Sequence, residues 1–91
     1  MVRQRLIFQG RVQRVGFRAR ARFVAEHHYV TGWVRNEPDG TVMLEIQGSE
    51  PAVADYLAEL RRRTSGLVER EMHADIAPVP DERGFTIERQ L

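Results

Sequence analysis

The sequence predicts an α+β fold in the order βαββαβ, with two helices packed on one face of an antiparallel sheet. Three observations carry this. Two stretches place apolar residues at helical spacing, and the segments around them alternate or run extended. Punctuation by Gly, Pro and Asp falls between them. The chain has 91 residues and no cysteine, which bounds it to one small domain, expected over residues 1–91, held by a modest apolar core and not by disulfides.

Residues 2–9, Val-Arg-Gln-Arg-Leu-Ile-Phe-Gln, read as the first strand. Leu6 and Phe8 share one face, and Arg5 and Ile7 share the other. Residues 10–16 form a loop with glycine at both ends. From about Phe17 the spacing turns helical. Phe17, Ala21, Val24, Ala25 and His28 make one stripe, with Arg18, Arg20, Arg22 and Glu26 elsewhere around the helix. Thr31-Gly32 closes this region, and Trp33-Val34-Arg35 opens an extended segment. Pro38-Asp39-Gly40 signals a turn. Val42, Leu44 and Ile46 then alternate with Met43, Glu45 and Gln47, so the two segments are expected to pair as a hairpin. Ser49 is the candidate N-cap of a second helix, with Glu50 and Pro51 in its first turn. Val53, Tyr56, Leu57 and Leu60 give its buried stripe. Arg61-Arg62-Arg63 reads as a solvated helix end, where cations suit the dipole, in preference to an anion or nucleic-acid patch. Residues 67–77 suggest a strand, Pro78-Val79-Pro80-Asp81 break it, and Phe85-Thr86-Ile87-Glu88 form a short last strand. This order is the split βαβ, or ferredoxin-like, arrangement.

The net charge of +1 hides an uneven distribution. All 14 basic residues are arginine; seven precede the first acid, Glu26, so residues 1–25 carry +7 and the remainder −6. A basic first quarter on a near-neutral chain suggests a local anion site. It is a poor transit peptide, being poor in Ser, and Leu6-Ile7-Phe8 is too short for a secretory core. No apolar run approaches the ~20 residues that a membrane helix needs. A cytoplasmic monomer is expected, with no membrane and no nucleic-acid partner.

The segment with chemical potential is Gly10-Arg11-Val12-Gln13-Arg14-Val15-Gly16-Phe17, followed by Arg18. It runs from a strand into a helix. A helix N-terminus offers free backbone N–H groups and a positive dipole end, and glycine lets such a loop curl its amides inward around an anion. Arg18 adds a planar, permanently charged fork. Spacing alone leaves open an ordinary strand–helix connection with a surface arginine. The Gly-Lys-Ser/Thr ending of a Walker loop is absent.

Gly10-Arg11-Val12-Gln13, Val15 and Phe17-Arg18 closely resemble the signature of the acylphosphatase family. Gly32-Trp33-Val34-Arg35-Asn36, then Gly40, Val42 and Gly48, resembles the family's second pattern at the expected separation. The resemblance continues through the second helix to Gly84-Phe85-Thr86-Ile87. It implies the same βαββαβ fold and hydrolysis of an acyl phosphate, the mixed anhydride of a carboxylic and a phosphoric acid, with no metal and no cofactor. By the same resemblance Arg18 holds the phosphoryl group and Asn36 positions the attacking water. The amides of Gln13, Arg14, Val15, Gly16 and Phe17 form the phosphate-binding loop.

Arg14 departs from the family loop, which usually has glycine there. If the position needs positive φ, the arginine strains the loop by ~1–2 kcal/mol; as a further cation it would tighten anion binding. Phe8 stands where an aliphatic residue is more usual and reads as core variation. Glu37 and Asp39, near Asn36, read as turn and surface residues. His27 and His28 are adjacent and cannot share a helix face as an i, i+4 ligand pair does, and His73 stands apart, so no metal site is expected. Trp33 and Tyr56 read as core or near-core. Of the seven N-terminal arginines, all but Arg14 and Arg18 need only be solvated. The competing reading is a non-catalytic ferredoxin-like module that binds anions or nucleic acid through the basic quarter; against it, the aromatic RNP1 pattern is missing.

Overall fold

A computed structural model describes residues 1–89. The elements are β1 (Val2–Gly10), α1 (Phe17–Ala25), β2 (Val30–Asn36), β3 (Val42–Gly48), α2 (Glu50–Arg63), β4 (Val68–Ile76) and β5 (Phe85–Glu88). They form one five-stranded sheet in the order β4-β1-β3-β2-β5. β1 pairs antiparallel with β3 and β4, and β2 antiparallel with β3. The short last strand adds a parallel pair with β2, so the βαββαβ sheet is mixed at that edge.

The alternation read in β1 and β3 is realised as burial. Leu6, Phe8, Val42, Leu44 and Ile46 face the helices and are at most 1% exposed. From the helices, Phe17, Ala21, Val24, Val53, Tyr56 and Leu60 complete the core. Burying a side chain of this size removes enough apolar area to stabilise by about 1.5–3 kcal/mol each. The Tyr56 hydroxyl donates to the Ala21 carbonyl at 2.9 Å, which ties α2 to α1 and satisfies an otherwise orphaned buried group.

α1 is shorter than its apolar stripe suggests. It closes at Ala25, with the Glu26 and His27 amides bonded to Phe23 and Val24 carbonyls. β2 begins at Val30, so the chain must turn there and His28 falls outside the helix. The His28 ring instead stands edge-on to Tyr56, and its Nε2 lies 2.8 Å from Glu59 Oε1.

The helix-free face holds the main departure from expectation. Arg3 is not a solvated strand residue: it is 2% exposed. Its Nε reaches Glu45 at 2.9 Å, one Nη1 bond goes to Gln47 at 3.0 Å, and Glu82 takes a bidentate pair at 2.7 and 3.1 Å. Arg5 binds the other Glu45 oxygen. The cause is the β4-to-β5 connection. These strands lie at opposite edges, so residues 77–84 must cross the sheet, and they cover Arg3. Val79 exchanges two hydrogen bonds with Gln47, and Thr31 donates to Glu82.

Candidate active site

At the other end of the sheet, β1 and β2 finish and β3 begins, since Phe8 and Asn36 both stand opposite Val42. The loop 11–16 and the hairpin turn 37–41 therefore emerge side by side. Gly10, at φ 133°, lets β1 leave the sheet: a Cβ there would lie 2.5 Å from the Leu67 carbonyl oxygen. The Arg11 amide then donates to that same carbonyl at 2.9 Å. Val12, 1% exposed, pins the loop to the core, and Phe17 packs at a tilt against Phe8 with ring centroids 4.9 Å apart.

Between these anchors the backbone alternates in hand. Arg14 has φ 64° and Gly16 φ 81°, whereas Gln13 and Val15 are not among the positive-φ residues. Such alternation turns successive amides toward one concave side, the geometry of an anion nest. Among the described residues, no backbone carbonyl accepts from the amides of Gln13 through Phe17.

The two helices differ sharply in how their starts are treated. α2 follows every stability rule: Ser49 Oγ accepts from the Ala52 amide, Glu50 sits in the first turn, and Arg61, Arg62 and Arg63 close the last. α1 breaks them. Its N-cap is left-handed Gly16 with no side-chain cap, its first turn has no acid, and Arg18 stands there instead. A cation at the positive end of a helix is unfavourable by roughly 0.3–1 kcal/mol. Departures of this kind concentrate where a ligand supplies the missing charge.

Arg14, Gly16, Phe17 and Arg18, with Val12 below and Ile87 of β5 beside them, line a pocket of about 190 Å³. Arg18 is half-buried, and no carboxylate pairs with it among the described residues. Gln13, Val15 and Asn36 are not in the lining. Gln13 turns away, its Nε2 donating to the carbonyls of Glu37 at 2.8 Å and Thr41 at 2.9 Å. The Val15 side chain packs on the core, and its carbonyl accepts from Arg20. Asn36 ends β2 two residues after buried Val34, so its side chain points to the helix side, as Phe17 does. Its Oδ1 is buried without a hydrogen-bond partner among the described residues.

The acids near Asn36 are occupied as turn and surface groups. Glu37 pairs with Arg35 at 2.9 Å. Asp39 Oδ1 accepts from both the amide and the hydroxyl of Thr41, which holds its carboxyl below the usual range. Of two larger grooves, one of about 770 Å³ lies near Arg3 and one of about 790 Å³ runs beside Gly10 and the hairpin turn; neither contains Arg18 or Asn36. Among the described residues no group of three or more His, Asp or Glu side chains is placed to hold a metal, and no helix is long and apolar enough to cross a membrane. Sequence reasoning missed Gln13 as a clamp and Ile87 as a pocket wall. Only the register of β2 against β3 and β5 brings them in.

The sequence profile named Acylphosphatase matches residues 4–87. The chain belongs to the acylphosphatase family. Its activity is the family's, hydrolysis of an acyl phosphate to a carboxylate and inorganic phosphate, and its substrate is a small molecule. The acylphosphatase of Geobacillus thermodenitrificans is 42% identical over 88 residues, spanning 96% of this chain and 94% of that one. That of Methanospirillum hungatei is 36% identical over 98% of this chain and 99% of its own. The crystal structure of acylphosphatase from Bacillus subtilis superposes with a TM-score of 0.87 at 28% identity, over 97% of this chain and 99% of that one.

Proposed function

We propose that Arg18 and the amides of residues 13–17 seat the phosphoryl group, and that Asn36 orients the water that attacks it. The observation that carries this is the inverted start of α1, where a cation and uncapped amides converge with no protein anion among the described residues. A phosphoryl dianion reverses each of those penalties at once.

The chemistry asks little more of the protein. Phosphoryl transfer passes through a loose transition state with charge spread over three equatorial oxygens. The guanidinium fork and the nest amides are aimed at those oxygens. Water forms a P–O bond in line with the bridging oxygen. The bond from phosphorus to that bridging oxygen breaks, its electron pair leaves with the carboxylate, and the water's protons end on the phosphate and in solvent. Asn36 offers one acceptor and one donor, enough to hold a water in line. Its Oδ1 has no hydrogen-bond partner among the described residues and is closed to water where it stands, so the role requires the side chain to rotate toward the phosphoryl group. No strong general base is needed, because a carboxylate is a good leaving group. Every group named comes from one chain, so a monomer is the proposed working unit.

The competing reading, a nucleic-acid module, rested on the basic first quarter. Arg3 and Arg5 are taken out of that quarter by Glu45 and Glu82, which leaves five of its seven arginines and weakens the motivation.

Phosphate release from benzoyl phosphate tests the proposal. Arg18→Ala and Asn36→Ala are each expected to cost on the order of 10²–10³ in kcat while circular dichroism stays native. A folded Arg18→Ala variant with the wild-type rate refutes the seat.

A further inference from the structure

Arg14 and Arg18 reach one pocket from two places, the loop and the first turn of α1. They differ in depth. Arg18 is half-buried and Arg14 exposed, so one lies toward the floor and the other at the rim. Neither forms an ion pair among the described residues. Arg14 also holds φ at 64°, a conformation that glycine adopts without strain and an arginine does not. The backbone therefore gives no reason for an arginine here, and its side chain must supply one.

A phosphoryl group seated on Arg18 and the loop amides, the reading proposed above and the one this inference rests on, turns its three equatorial oxygens inward. The bridging oxygen and the acyl half then project toward the rim, where Arg14 stands. We propose that Arg14 is a specificity residue for the acyl half, favouring acyl phosphates that carry a second negative charge, a carboxylate or a phosphate, over those with a neutral acyl chain. The acyl substituent keeps its charge throughout the reaction. Arg14 thus attracts ground state and transition state alike, and its effect falls on KM more than on kcat. The site is open to water, so the preference is a few-fold and screened by salt.

The test compares kcat/KM for succinyl phosphate, which has a free carboxylate, with that for benzoyl phosphate, which has none. The expected result is that Arg14→Gln lowers the succinyl-to-benzoyl ratio about threefold, mainly through KM, and that Arg14→Lys keeps it. The wild-type ratio should also shrink as ionic strength rises from about 0.05 to about 0.5 M. A ratio unchanged in Arg14→Gln overturns the proposal. So does an equal fall for both substrates, which would assign Arg14 to the phosphoryl group instead. These outcomes leave the Arg18 seat standing. A wild type that turns over neither compound, or an Arg18→Ala variant at full rate, removes the seat and this inference with it.

Discussion

The side-chain amide of Gln13 binds the Glu37 carbonyl at 2.8 Å and the Thr41 carbonyl at 2.9 Å. One glutamine thereby ties the anion loop to the hairpin that begins at Asn36. The two halves of the proposed site come from distant parts of the chain, and this clamp sets their spacing. Arg18 and Asn36 can act on the same phosphoryl group only if that spacing holds.

Cutting the clamp should harm turnover more than folding. In Gln13→Ala both carbonyls keep a backbone donor, Glu37 from the Gly40 amide and Thr41 from the Glu37 amide. A loss of about 1 kcal/mol in stability is expected. Misplacement of the water relative to the phosphoryl group should cost roughly 10²-fold in kcat. Paired urea titrations and benzoyl phosphate kinetics would measure both, and a variant with proportionate small losses would show that the clamp is merely structural.

Asn36 should show a trade of stability for activity. Its Oδ1 is buried and has no partner among the described residues, and such a group costs about 1–3 kcal/mol. Asn36→Leu, close in shape and without the polar atom, is expected to abolish hydrolysis while leaving the melting temperature unchanged or raised by a few degrees. A marked fall in melting temperature would mean that the amide stabilises the fold.

The Arg3 cluster should behave as a buried ion network. Glu82 is pushed up by burial, but hydrogen bonds from Arg3 and Thr31 outweigh this and hold its pKa below the ordinary carboxylate range. Arg3→Ala leaves Glu82 without a cation, though Glu45 keeps Arg5, and is expected to destabilise by about 3 kcal/mol, read from denaturant unfolding. A loss under about 1 kcal/mol would place it with exposed pairs. The site lies at the opposite end of the sheet, so the folded variant should keep its kcat.

Glu59 should set part of the acid sensitivity. Hydrogen bonds from His28 and Arg63, the former the larger effect, hold its carboxyl down from 4.5 to about 2. A lowered folded value means that the stabilisation is fully present above pH 4.5 and is lost as pH falls toward about 2. Thermal unfolding of Glu59→Gln across that window should therefore depend less steeply on pH than the wild type. Equal slopes would exclude Glu59 as a contributor.

Much of this protein is legible in its residues alone. The alternation of Leu6 with Phe8 and of Val42 with Leu44 and Ile46 specifies which strand faces are buried, because burial demands a period of two. Ser49, Pro51 and the closing arginines mark α2, because capping is local. The Gly10–Arg18 and Gly32–Asn36 motifs point to the family and its chemistry, since each is short and contiguous. Tertiary structure decides what depends on partners distant in sequence. Arg3 reads as solvated until the crossing segment 77–84 buries it with Glu82. His28 reads as helical until β2 claims the chain at Val30. Gln13 reads as a loop ligand through its amide, and only strand register sets Glu37 and Thr41 beside its side chain. Arg14 stands out in sequence as a departure from the usual glycine, but only its φ of 64° and a pocket shared with Arg18 give it a place. Local pattern encodes which residues must be buried or capped. Which charge meets which follows only when the sheet brings its strands into register.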